Sequence, residues 1–78
     1  MSKYYSKIRV QYSDGEPARG IKVSLSIDGF LSGGIVKSYT NKDGDAIIGH
    51  ESTGTAKIII NGRTRGNLKV PGETVVFI

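Results

Sequence analysis

A chain of 78 residues holds one hydrophobic core, because at this size folding removes only roughly 60% of the unfolded surface from water and leaves no apolar area to divide between two domains. The absence of cysteine excludes disulfides, thiolate nucleophiles and cysteine-ligated zinc. Eleven Lys and Arg against seven Asp and Glu give a net charge of +4, a bias toward acidic partners that is spread along the whole length instead of forming a run.

The opening MSKYYSKIRVQYS has no apolar h-region, and the longest aliphatic run is Ile58 to Ile60. Neither a signal peptide nor a membrane span is expected, and the cytoplasm is the default compartment. Within that opening, Lys7 to Tyr12 alternates Ile8, Val10 and Tyr12 with Lys7, Arg9 and Gln11. This predicts a first strand, which Tyr4 and Tyr5 extend. The next eight residues, SDGEPARG, carry Asp14-Gly15 and Pro17 as turn formers. They are too many for a tight hairpin and predict a bulge or a crossover between sheets.

Ile21 to Ile27 is the clearest alternation in the chain. Ile21, Val23, Leu25 and Ile27 face one way and Lys22, Ser24, Ser26 and Asp28 the other, so a half-buried antiparallel strand is predicted, against which the rest must pack. DGFLSGG follows, an irregular loop with Phe30 and Leu31 exposed on it, before Ile35 to Thr40 resumes an extended pattern. Asn41 to Asp45, NKDGD, is a turn joining two strands, and Ala46 to Gly49 is a short strand leading to the single histidine, His50. Thr55 to Ile60 turns Ala56, Ile58 and Ile60 to one side, and Asn61-Gly62 is suited to the positive φ angles of a two-residue hairpin. Thr64 to Val70 then places Leu68 and Val70 inward and Arg65, Asn67 and Lys69 outward, and Pro71-Gly72 leads into Val75 to Ile78.

No window has capped helical periodicity, so essentially no helix is expected. Seven short strands with a turn signal between each pair have the spacing of a sandwich or small barrel, a single domain over residues 1–78.

Gly15-Glu16-Pro17 followed by Gly20, Val23 and Leu25 resembles the G-x-P-x-x-G-x-x-V-x-L opening of carboxypeptidase regulatory-like, transthyretin-like domains. Thr40 to Gly44 is similar to that family's T-x-x-D-G turn, and Gly54 to Gly62 to its late strand and hairpin. The resemblance covers roughly residues 7–78. It implies an all-β, seven-stranded antiparallel immunoglobulin-like sandwich, and members that are mostly accessory or binding modules, since a shared fold carries no activity with it. Where the family carries large apolar residues, this chain has Ala46 and Ala56. That predicts an underfilled core unless Tyr12, Tyr39 or Phe77 turns inward.

Among chemical motifs, Asn41, Asp43 and Asp45 alternate oxygens as a calcium loop does. An EF-hand register fails at Ala46, where glycine is needed, and at Ser52, where a bidentate Glu is needed, and Asx residues populate turns for local reasons. His50 and Glu51 are adjacent and point to opposite faces of a strand, so His50 reads as solvated surface and no catalytic residue, metal ligand or cofactor site is assigned. Two candidate surfaces remain. Lys57, Arg63, Arg65 and Lys69 form a basic stripe if the alternation of Thr64 to Val70 holds, able to contact phosphates. Phe30 and Leu31 form a recognition tip, because large apolar side chains exposed on a loop call for a cover.

The expected function is that of a non-enzymatic binding or structural module of unknown protein partner, acting through the Phe30 loop or through sheet edges, including homodimer formation by edge pairing. The alternative is a small basic barrel binding nucleic acid through the stripe. Carbohydrate binding ranks last, since there is no Trp.

Overall fold

A computed structural model describes residues 3–27 and 34–78. Over them the chain is all-β, with no helix and therefore none long and apolar enough to cross a membrane. The strands are β1 (Tyr4–Gln11), β2 (Lys22–Ile27), β3 (Gly34–Tyr39), β4 (Asp45–His50), β5 (Gly54–Ile60), β6 (Arg63–Val70) and β7 (Glu73–Phe77). Each lies where alternation predicts one, with its ends moved by a few residues. They form two sheets, one in the order β4-β1-β7 and one in the order β3-β2-β5-β6.

The connections follow the local turn chemistry. Ile60 pairs with Arg63, and Asn61 and Gly62 have φ of 50° and 85°, the left-handed pair that lets a two-residue turn match strand twist. SDGEPARG carries the chain from β1 in one sheet to β2 in the other, a crossover held by Gly15 N–H donating to Tyr12 O at 2.9 Å and Ala18 N–H donating to Val10 O at 2.9 Å. NKDGD also joins different sheets, β3 to β4. Its shape is set by Asn41 Oδ1, which accepts from Asp43 N at 2.9 Å and Asp45 N at 3.0 Å.

One pairing departs from the all-antiparallel expectation. β7 runs parallel to β1, with Lys7 opposite Glu73 and Gln11 opposite Phe77. A short turn forces adjacent strands to run antiparallel, but β1 and β7 are separated by the whole chain and no turn constrains their direction.

The core draws on both sheets: Ile8, Val10, Ala46 and Ile48 from one, and Val23, Leu25, Ile27, Ala56, Ile58, Ile60 and Val70 from the other, with Ala18 of the crossover. The expected inward aromatics are absent from it. Tyr12, Tyr39 and Phe77 are 44%, 59% and 58% exposed, while Ala46 and Ala56 are fully buried. The partly buried aliphatics Ile21, Val36, Leu68, Val76 and Ile78 pack against the cluster instead, so the small residues need no ring to cover them.

Candidate interaction surfaces

The predicted basic stripe does not form a line. Ile58 pairs with Gly66 and Ile59 with Thr64, so Arg65 is an extra residue in β6 and the strand bulges there. A bulge of one residue reverses the alternation across it. Arg63, opposite the buried Ile60, therefore lies on the core side of the end of β6, whereas Lys69, opposite Thr55, and Lys57, opposite Asn67, lie on the outer side. All four cations are exposed, but only Lys57 and Lys69 share a face. Phe30 and Leu31 lie outside the described residues, as does Asp28, expected on the same face as Lys22.

The ladder brings other residues to that face. β2 pairs with β3 so that Lys22 faces Tyr39, Ser24 faces Lys37 and Ser26 faces Ile35. On its other flank Ser24 faces Ile59 and Ser26 faces Lys57. The outer surface of the four-stranded sheet thus carries Lys22, Lys37, Lys57 and Lys69. Beside them are two exposed apolar side chains, Ile35 at 67% and Tyr39 at 59%. No Asp or Glu lies on this face among the described residues. Sequence reading finds Lys22 outward but misses its neighbours, because only the strand pairing places Lys37 and Tyr39 beside it.

The outer face of the three-stranded sheet is organised differently. Its central strand presents Lys7 and Arg9, and Arg9 holds Asp45 of β4 through Nε at 2.8 Å and Nη2 at 3.3 Å, with Lys7 Nζ at 3.9 Å. The hydrogen bond from Arg9 keeps the Asp45 carboxyl below the usual carboxylate range, against the opposing effect of burial, and the charges of Arg9 and Lys7 act in the same direction. Arg9 is correspondingly shifted upward by the hydrogen bond and charge of Asp45. Either side of this paired centre is apolar and exposed: Ile47 on β4, and Val75 and Phe77 on β7. Among the described residues β7 is also an open edge. Because Gly72 O accepts from Lys7 N and Ile78 N donates to Gln11 O, the even-numbered residues of β7 turn their backbone groups toward β1. Those of Glu73, Val75 and Phe77 point outward.

No family model, curated protein or solved structure matches the chain.

His50 is not solvated surface. It is 3% exposed, its ring stacked on Tyr4 with centroids 6.1 Å apart. Nδ1 lies 2.7 Å from the carbonyl oxygen of Ser52 and Nε2 2.7 Å from Ser6 Oγ. A carbonyl can only accept, so in the neutral ring Nδ1–H donates to it, and Nε2 accepts from the Ser6 hydroxyl. Ser6 Oγ in turn accepts from Gly72 N–H at 3.2 Å. The alternation that puts Ile48 inward also puts His50 inward, two residues on, and Ser6 arrives from β1 on the same face. A cavity of about 430 Å³ opens beside the histidine, lined in part by Lys3, Ile27, Ile35 and Ser52. Both ring nitrogens, however, are engaged with the chain's own groups, and Ser6 is 1% exposed. The pair ties β1, β4 and the start of β7 together.

Proposed function

We propose that the protein is a non-enzymatic binding module, a small immunoglobulin-like sandwich of the transthyretin-like kind, which associates with another protein chain by strand addition at the β7 edge. One observation carries this reading: β7 presents backbone groups left unpaired among the described residues, beside exposed Val75 (49%) and Phe77 (58%), and its only charged residue is Glu73 at its start. Apolar edges are templates for pairing, and proteins usually guard them with lysine, proline, bulges or very short strands; β7, at five residues, is short but carries none of the other devices. Two of the other outer strands carry such guards, Lys37 in β3 and the bulge and three cations in β6, whereas β4 presents one exposed apolar side chain, Ile47, against the two of β7. The sandwich reading is supported by a core that draws on both sheets, and the non-enzymatic reading by the burial of the Ser6–His50 pair.

A second copy is the simplest partner, since β7 against β7 across a two-fold axis joins both edges antiparallel and brings the Val75 and Phe77 side chains together. Sedimentation equilibrium over a wide concentration range tests it. The wild type is expected to approach twice the monomer mass, and Val75→Lys, which places a charge on an exposed edge position and leaves the core intact, is expected to stay monomeric. A wild type that remains monomeric throughout, with the amides of Val75 and Phe77 exchanging freely with solvent, removes self-association as the role of this edge.

A further inference from the structure

We infer that the outer face of the four-stranded sheet, built from residues separate from those of the β7 edge, is a binding surface for single-stranded nucleic acid. The face differs from the sequence-predicted stripe in composition and position. Lys22, Lys37, Lys57 and Lys69 occupy successive rows of the ladder. With strands about 4.8 Å apart and about 6.8 Å per two residues, their Cα positions step by roughly 8, 12 and 8 Å and cover about 20 Å from end to end.

Charge complementarity selects a polyanion. Among the described residues no carboxylate lies on this face, and none of the four lysines is in an ion pair, whereas Lys7 and Arg9 on the other sheet are matched to Asp45. The apolar side chains select a single strand among polyanions. β3 presents Ile35, Lys37 and Tyr39 in alternation, the two exposed apolar residues on either side of the cation. A base can stack on the Tyr39 ring while its phosphates meet Lys22, directly opposite, and Lys37, two residues away. In a duplex the base faces are already stacked and unavailable to such a platform. Lysines supply point charges without the planar fork that reads base edges, so recognition is independent of sequence.

The test is fluorescence anisotropy with a labelled oligo-dT long enough to span the sheet, titrated at several salt concentrations. Four phosphate contacts to a single strand give a slope of log K against log salt near −2.8, so the Kd rises about 50-fold between 50 and 200 mM salt. Lys37→Glu with Lys57→Glu is expected to abolish measurable binding at the higher salt. The milder Lys37→Gln with Lys57→Gln is expected to halve the slope, which keeps the result readable if the charge reversals perturb folding. Tyr39→Ala weakens binding about 5- to 150-fold through lost stacking. Lys42→Glu, in the NKDGD turn that leaves the four-stranded sheet for β4, is the control for net charge and leaves the Kd within about twofold of wild type at 200 mM salt, where screening limits long-range effects. Failure to bind at low salt overturns the inference. So does an equal loss in the Lys42 control, equal affinity for duplex or for phosphatidylserine vesicles, or indifference to Tyr39→Ala.

Discussion

Gly44 is the point where the NKDGD turn is pressed against β1, and replacing it with alanine isolates the contribution of that contact. Its φ is +80°, and a Cβ there would lie 2.6 Å from the Val10 carbonyl oxygen, 3.1 Å from Pro17 Cβ and 3.3 Å from Ala18 N. The carbonyl has no room to retreat, since it accepts from Ala18 N–H at 2.9 Å while Val10 N–H donates to Gly44 O at 2.7 Å. A side chain in the left-handed region costs about 1–2 kcal/mol. Displacing the turn weakens two hydrogen bonds worth about 0.5–1.5 kcal/mol each. The expected loss is therefore about 3 kcal/mol, a large share of the roughly 4–12 kcal/mol available to 78 residues. Gly62 provides the comparison: its φ is +85°, but a Cβ there would meet nothing within 4 Å. Gly62→Ala should lose only the backbone contribution of about 1–2 kcal/mol. Urea unfolding followed by circular dichroism measures both. If the two variants lose the same stability, the close approach to Val10 is not what requires glycine at position 44, and the reasoning fails.

Two further predictions concern buried polar groups. Asp45 has a carboxyl depressed by the Arg9 hydrogen bond, so its contribution to stability is fully present above its unfolded pKa of about 3.9 and is lost as pH falls through the lower folded value. Urea midpoints measured from pH 7 to pH 2 should fall more steeply at the acid end in wild type than in Asp45→Asn, and parallel curves would remove the ion pair from the account. Ser6→Ala leaves His50 Nε2 and Gly72 N–H without their partner at a site 1–3% exposed. A loss of about 2–3 kcal/mol is expected by urea unfolding, and a change below about 1 kcal/mol would mean that the histidine finds another partner.

The strands were legible because each buries one face only, which writes a period of two into the sequence; Ile21 to Ile27 is the plainest case. Turn chemistry was legible for the same local reason, as Asn61-Gly62 demonstrates. Pairing was not. Nothing near Glu73 to Phe77 specifies that the strand lies beside β1, or that it runs parallel to it. The bulge at Arg65 was equally hidden, since RTRGNLKV reads as a regular alternation, and one inserted residue was enough to put Arg63 on the side of the strand opposite Lys69. His50 followed the alternation of its own strand inward. Its polarity and the neighbouring loop mask that period, and its partner Ser6 is 44 residues away. Half of the basic surface, Lys57 and Lys69, was named from sequence, but Lys22, Lys37 and Tyr39 join it only through the register of β2 with its two neighbours.

The distribution of charge between the two sheets links the proposed surfaces. On the three-stranded sheet Asp45 matches the central cations, which leaves the apolar β7 edge without a cationic guard. On the four-stranded sheet the cations, without a carboxylate partner among the described residues, guard both outer strands against strand addition and form the proposed polyanion surface at the same time. Antiparallel pairing of β7 with a second β7 places its two-fold axis perpendicular to the joined sheet, so in the proposed sandwich both four-stranded sheets lie on the same side of the dimer. Both lysine faces then point the same way and can engage one longer strand, each raising the effective concentration of the phosphates for the other. Edge pairing and polyanion binding are therefore compatible, and the first strengthens the second without any new contact to the ligand.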